Sequence, residues 1–289
     1  MFNKGPKEIA IKMLDFAPLP GVCLEIGKLA DDPDCSMEKL AALVASDGAL
    51  SAQVLRITNS PFYGYSAKID SMKQAVQILG TDSLRNLVYA SCFLSAYGAL
   101  ESHLVNSQNF WRHGLYTGIV ARNLAKKCQL AHSERFFVAG LLHDVGRLAL
   151  YTALEQAAVG ILDEVEEEQM SLYRVERSLL GFSHCDVGME LMKIWNLPES
   201  MRQVAKFHHS PSMAEAYELE VSIIHIAEGI ARGAGVFGSP EDVYGGISDH
   251  AWNLTGLDYD VVDEIVVKAD SDYVDIAALF IERGYSTSI

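Results

Sequence analysis

Residues 36–61 read Ser36-Met37-Glu38-Lys39-Leu40-Ala41-Ala42-Leu43-Val44-Ala45-Ser46-Asp47-Gly48-Ala49-Leu50-Ser51-Ala52-Gln53-Val54-Leu55-Arg56-Ile57-Thr58-Asn59-Ser60-Pro61. Ser36 is a good N-cap, and the apolar stripe Leu40, Leu43, Val44 behind it predicts a helix that ends near Asp47-Gly48. Leu50, Val54 and Leu55 share one face of a second helix, from Ala49 to Thr58. Pro61 cannot continue that helix and biases Ser60 out of helical backbone, so the stop is firm. Both segments follow the 3.6-residue period, and no stretch of several alternating strands appears elsewhere. The chain is expected to be all-α, a multi-helix bundle.

The same punctuation continues outward. Ser71 to Leu79 predicts a short helix closed by Gly80, with Thr81 or Asp82 capping the next, which runs through Leu84, Leu87, Val88 and Cys92. After the polar stretch Glu101–Gln108, helices are expected over Phe110–Cys128, Ser133–Asp144 (ended by Gly146), Leu154–Gln169, Ser171–Leu180, Asp186–Trp195, Glu199–His208 and Leu219–Gly233. The run Glu164-Val165-Glu166-Glu167-Glu168 reads as a solvated face. Past Ser239 there are eleven acids against Lys268 and Arg283. Val261, Val262, Ile265 and Val266 keep helical spacing there, which predicts a folded acidic extension. The expected division is 1–108, 109–238 and 239–289.

At 289 residues, 49% hydrophobic and 21% charged, with mean hydropathy +0.12, the chain has ample surface for a core and is neither disordered nor fibrous. A net charge of −15 and a pI near 5.0 argue against direct contact with nucleic acid or anionic lipid. No run of about 18 apolar residues occurs, and Met1–Lys12 mixes charged and apolar positions, so neither export nor membrane spanning is expected. The five cysteines, Cys23, Cys35, Cys92, Cys128 and Cys185, are odd in number and form no CxxC. They are expected to be reduced thiols in a cytosolic protein.

The chemistry concentrates in histidines near predicted helix ends. His143-Asp144 sits in Gly140-Leu141-Leu142-His143-Asp144-Val145-Gly146, and imidazole and carboxylate are both donors to first-row metals. His113 lies 30 residues before His143, His184 lies 40 after Asp144, and His208-His209 begins 24 after His184. Each interval is about one helical hairpin, so packed helices could bring these donors into one pocket. Such a set suits a hydrolytic di-metal centre, where two ions clamp a phosphate and activate water. Cys185, beside His184, could be a soft ligand or simply a small residue at a helix start, since no second thiol stands at ligand spacing.

The pattern His113, His143-Asp144, His184, His208-His209 resembles the HD superfamily of metal-dependent phosphohydrolases. Several further stretches resemble the HD-related output domain family, HDOD: Leu19-Pro20, the Ser46-Asp47 helix end, Leu55 to Gly64, Ala75-Val76-Gln77-Ile78-Leu79-Gly80, Gly181-Phe182-Ser183-His184 and Trp195-Asn196-Leu197-Pro198. The likeness covers about residues 15 to 235. It implies an all-helical, two-part module of bacterial signalling proteins, a catalytically degenerate relative of the HD enzymes that serves as an output or scaffold unit. In HD enzymes the ligand set ends in an Asp on a helix after the paired His. The matching stretch, Ile224-His225-Ile226-Ala227-Glu228, has Glu228 in that place, and the extra methylene is expected to weaken or relocate an ion. The Gly-Tyr-Pro of the cyclic-di-GMP phosphodiesterase branch is replaced after His209 by Ser210-Pro211.

Three roles follow for the cluster of His113, His143, Asp144, His184, His208, His209 and Glu228: packing and capping groups, a retained divalent transition metal (Fe, Mn or Zn) without turnover, or an HD-type phosphohydrolase acting on a nucleotide or phosphoester. In the last, Asp144 would bind or bridge the ion, His113, His143 and His208 would complete it, and His209 would protonate the leaving group. The expected function is a regulatory adaptor whose partners are signalling proteins on separate chains. The motifs encode no oligomeric state.

Overall fold

The computed structural model describes residues 4–16, 18, 20–30, 36–98, 100, 104–236 and 246–280. Leu19, Cys35 and the expected boundary at 238/239 lie outside these. Among the described residues the ordered elements are helices. They are α1 (Pro6–Phe16), α2 (Gly21–Ala30), α3 (Met37–Ala45), α4 (Gly48–Thr58), α5 (Met72–Leu79), α6 (Thr81–Tyr97), α7 (Ser107–Lys127), α8 (Glu134–Leu142), α9 (Val145–Ala153), α10 (Glu155–Glu168), α11 (Leu172–Leu180), α12 (His184–Ile194), α13 (Glu199–Phe207), α14 (Glu218–Gly233), α15 (Asp249–Thr255) and α16 (Val261–Phe280), with a 3₁₀ turn at Pro211–Met213.

Local chemistry accounts for most boundaries. The Ser36 hydroxyl accepts from the Lys39 amide and the Asp47 carboxylate from the Ala49 and Leu50 amides, satisfying donors that a helix start leaves free. At α12 the capping box of Ser183 and Asp186 starts the helix at His184, two residues earlier than the apolar spacing suggests. Gly80, at φ +81°, ends α5 and also caps α6, and neither Thr81 nor Asp82 makes the expected side-chain cap. Gly146 does not end a helix. The break falls at His143-Asp144, and Gly146 belongs to the first turn of α9.

Helix α7 is the axis, buried along most of its length, and α8, α14 and α16 pack around it. Its glycines let α8 approach backbone to backbone. A Cβ on Gly140 would stand 2.7 Å from the Gly118 Cα, so any larger residue would force the helices apart. Helices α9, α12 and α13 pack in series, and α1 lies across α9 and α12, with Lys12 Nζ donating to the Ala153 carbonyl at 3.1 Å. Helix α6 joins α4 and α5 to α8. The turn Phe62-Tyr63 is held on α7: the Arg122 guanidinium lies 4.0 Å from the Phe62 ring centre, donates to the Phe62 carbonyl, and pairs with Glu134 at 2.6 Å. Helix α16, the acidic extension, docks on α7 and α4, with Tyr116 donating to Asp270 and Asn123 to Asp272.

The cysteine expectation needs correction. Cys23 of α2 and Cys92 of α6 form a disulfide, their Cα atoms 6.3 Å apart and 69 residues separated in sequence, while Cys128 and Cys185 are free. Two thiols so distant in sequence are brought together only by the packing of α2 on α6, which no spacing rule shows.

Candidate metal centre

Five helix segments deliver the donors. His113 comes from α7, His143-Asp144 from the break between α8 and α9, His184 from the first residue of α12, His208-His209 from the end of α13, and Glu228 from α14. All seven expected residues meet in one cluster. His113, His143, His184, His208 and Glu228 are at most 4% exposed, and Asp144 is 9% exposed.

The hydrogen bonds fix how the imidazoles face. His113 Nδ1 is 2.8 Å from the Val236 carbonyl and His143 Nδ1 is 2.6 Å from the Gly140 carbonyl. His208 Nδ1 lies 3.1 Å from both the Val204 and Ala205 carbonyls. A carbonyl only accepts, so each Nδ1 carries the proton and each Nε2 is turned inward. His184 does the same with a carboxylate: its Nδ1 is 2.5 Å from Glu176 Oε2, which also accepts from the His184 amide at 2.8 Å. This Nδ1 anchoring is the arrangement that orients metal-ligating histidines. His225 is different, because Nδ1 donates to the His208 carbonyl at 2.7 Å and Nε2 accepts from the Ser248 amide at 2.9 Å. With both nitrogens used it is a structural brace.

Three of the inward atoms have no hydrogen bond. His143 Nε2, Asp144 Oδ1 and Glu228 Oε2 are buried without a hydrogen bond. Leaving such groups unsatisfied costs on the order of 1–3 kcal/mol each, more when charged, unless an ion fills the space. Their geometry allows one. The donor atoms of His113, His143 and Glu228 lie within 4.8 Å of one another, as do those of His143, Asp144 and His208, and those of His184, Cys185, His208 and His209. The longer side chain of Glu228 therefore still reaches the cluster, with Oε1 accepting from Arg232 at 3.0 Å and Oε2 facing in, 3.6 Å from His209 Nδ1. Asp144 Oδ1 is 3.2 Å from His184 Nε2 and 3.8 Å from His208 Nε2.

Charge explains the protonation pattern. Burial pushes His143 down to about 4, outweighing Asp144, so its Nε2 lone pair is free at neutral pH. Burial likewise drives His209 well below its usual range. For Asp144 burial opposes ionisation, but His184, His143 and Arg147 hold its carboxyl well below the usual range; Arg232 and His209 do the same for Glu228. Burial also opposes a charge on His184 and His208, yet nearby Cys185 and the carboxylates raise His184 well above its usual value and His208 to about 9. The thiol of Cys185, penalised by burial, is drawn down to about 7 by the same two rings. The buried carboxylates thus require positive charge among them. Protons on His184 and His208 meet that demand, and a divalent cation would meet it in their place.

Sequence reasoning missed Glu176 and Arg232. Glu176 carried one readable signal, since it lies with Leu172 and Val175 on the buried stripe of α11 where an apolar residue belongs.

Comparison with known proteins identifies the family and the fold. The HDOD domain family matches residues 16–211. An HDOD domain protein with unknown function from Geobacter sulfurreducens is 26% identical, with a TM-score of 0.71 over 95% of this chain and 97% of its own. A Marinobacter aquaeolei VT8 protein assigned to signal transduction is 23% identical, TM-score 0.71, covering 93% of this chain and 60% of that one. One from Shewanella amazonensis SB2B assigned as a phosphohydrolase is 24% identical, TM-score 0.63, over 96% and 93%. An uncharacterized protein of Treponema pallidum (strain Nichols) is 27% identical over 230 residues, 78% of this chain, and the chain spans 44% of that relative's length. With the family's extent running from α1 through the paired histidines, the chain belongs to the HDOD domain family.

Proposed function

We propose that this chain is a regulatory adaptor of bacterial signal transduction built around a divalent metal that it holds without turnover. The observation that carries the reading is the closed donor cluster: inward Nε2 atoms anchored through Nδ1, with unpaired carboxylate oxygens among them and almost no solvent contact. His113, His143, Asp144 and Glu228 would hold one ion, and Asp144 faces His184 and His208 on the other side. Iron, manganese or zinc would supply cationic charge that ties the helix ends together. Partners are signalling proteins on separate chains, met through an acidic surface that disfavours nucleic acid and anionic membranes.

One observation favours a second reading, metal-dependent phosphoester hydrolysis. Asp144 lies between two donor groups, as a bridging carboxylate would in a two-ion site. A single set of measurements separates the readings. Protein purified without a His tag should carry at least one divalent ion per chain by mass spectrometry and show no turnover of nucleotides, cyclic dinucleotides or phosphoesters with Mn, Fe, Mg or Zn. Metal well below one per chain refutes the adaptor's metal centre; hydrolysis that disappears in His143→Ala selects the enzyme.

A further inference from the structure

We propose that Cys185 is a thiolate ligand in a second, softer metal position formed with His184, His208 and His209. The inference rests on the reading of the cluster as metal-binding and adds the class of ion its far side takes.

The buried thiol of Cys185 is 3.9 Å from His208 Nε2, and His184 Nε2 is 3.1 Å from His209 Nε2. All four donor atoms lie within 4.8 Å of one another. In a tetrahedral zinc site, with bonds of about 2.0–2.1 Å to nitrogen and about 2.3 Å to sulfur, ligand atoms sit roughly 3.3–3.6 Å apart. The two closest pairs, at 3.1 and 3.9 Å, fall on either side of that range and the others lie within 4.8 Å, so side-chain shifts of about an ångström would close the four donors on a common centre. The neighbouring oxygen, Asp144 Oδ1, is buried without a hydrogen bond and stands 3.2 Å from His184 Nε2, facing the same space. Cys185 is also the second residue of α12, where the helix start favours a negative sulfur.

Donor chemistry distinguishes the two sides of the cluster. His113, His143 and Glu228 offer nitrogen and oxygen only, which suits manganese or iron; three imidazoles and a thiolate select a borderline-soft cation such as zinc. Binding forms a metal–sulfur bond and breaks the S–H bond. The proton, with any carried by His184 and His208, passes to solvent by way of half-buried His209.

Cobalt(II) is the probe, added to chelator-stripped full-length protein. Bound cobalt should give a thiolate-to-cobalt charge-transfer band in the near ultraviolet, and tetrahedral visible bands. Cys185→Ser should lose the charge-transfer band while keeping its helical circular dichroism. Cys128→Ser and Cys35→Ser should keep the band. On zinc-loaded protein, X-ray absorption should show a sulfur neighbour at about 2.3 Å, absent in Cys185→Ser. This second readout on the native side chain stands if the serine variant folds poorly. Cobalt bound without the band, or a band that survives Cys185→Ser, overturns the thiolate ligand alone. No cobalt bound overturns both this assignment and the metal-centred adaptor.

Discussion

A histidine whose Nδ1 is committed to a main-chain carbonyl has one free lone pair and no reason to be buried with it unless something accepts it. His143 is the sharpest case. His143→Ala or Asp144→Ala should remove the metal and, if the ion is held at about a hundredfold excess over its dissociation constant, cost about 2.7 kcal/mol of stability. For a chain of this size that is a fall of roughly 5–10 °C in Tm, measurable by calorimetry, and stripped wild type should melt with the variants. The metal-free protein should also lose stability as pH falls below 6.5. His143, depressed to about 4 in the fold against 6.5 unfolded, contributes stability that is intact above pH 6.5 and lost as pH falls toward 4. His208, raised to about 9, contributes stability that is lost as pH climbs from 6.5 through 9, while Cys185, drawn down to about 7, contributes stability that grows from pH 7 to 9, so this contacting pair offsets itself on the alkaline side. An unchanged urea midpoint between pH 6.5 and 4 in the stripped protein would refute the assignment of His143 as a buried neutral imidazole. The histidines were legible because spacing at hairpin intervals is a property of sequence. The contact of Glu176 was not: nothing in a linear chain shows that an acid eight residues before His184 folds back onto its ring.

At the scale of elements, the site is only as well placed as the helices that end in it. Helix α9 begins just after Asp144 and α12 begins at His184, and they cross where Gly146 meets Gly188. A Cβ on Gly146 would strike the His184 carbonyl and the Gly188 backbone, neither of which can swing aside. Gly146→Ala should therefore cost about 1–3 kcal/mol and weaken metal retention by separating Asp144 from His184, whereas Gly160→Ala, which meets open space on α10, should be neutral or mildly stabilising. Equal urea midpoints for the two variants would show that the crossing has slack. Reduction of the disulfide between α2 and α6, or Cys92→Ser, should cost about 2–4 kcal/mol, given the long loop it closes, and leave metal content unchanged because neither cysteine touches the cluster. Most helices were readable from caps and period, but α9 was not expected, because its first turn reads as the end of the helix before it. Gly146 was misread as a helix stop because a glycine demanded by close approach looks, in sequence, like one that ends a helix.

For the whole molecule, the question is whether the segment before Gln108 can stand without the rest. Its first helix packs on α9 and α12, and its last, α6, presents Leu87, Ala90 and Leu94 among other buried side chains in a helix that packs against α8. Removing residues 109–289 would expose those faces and leave α2–α6, tied by one disulfide, around a small core; small cores bury a lower fraction of their surface and are correspondingly marginal. A fragment 1–108 should thus unfold broadly, with a shallow urea dependence, while the full chain unfolds steeply, because the steepness of a denaturant transition follows the surface exposed. The acidic extension belongs to the same argument from the other end, since α16 rests on both α7 and α4 and buries Ile276 and Phe280. Truncation at residue 248 should lower the midpoint of the full chain without broadening it. A fragment 1–108 that melted as sharply as the whole protein would instead establish two independent units, with the metal cluster confined to one of them.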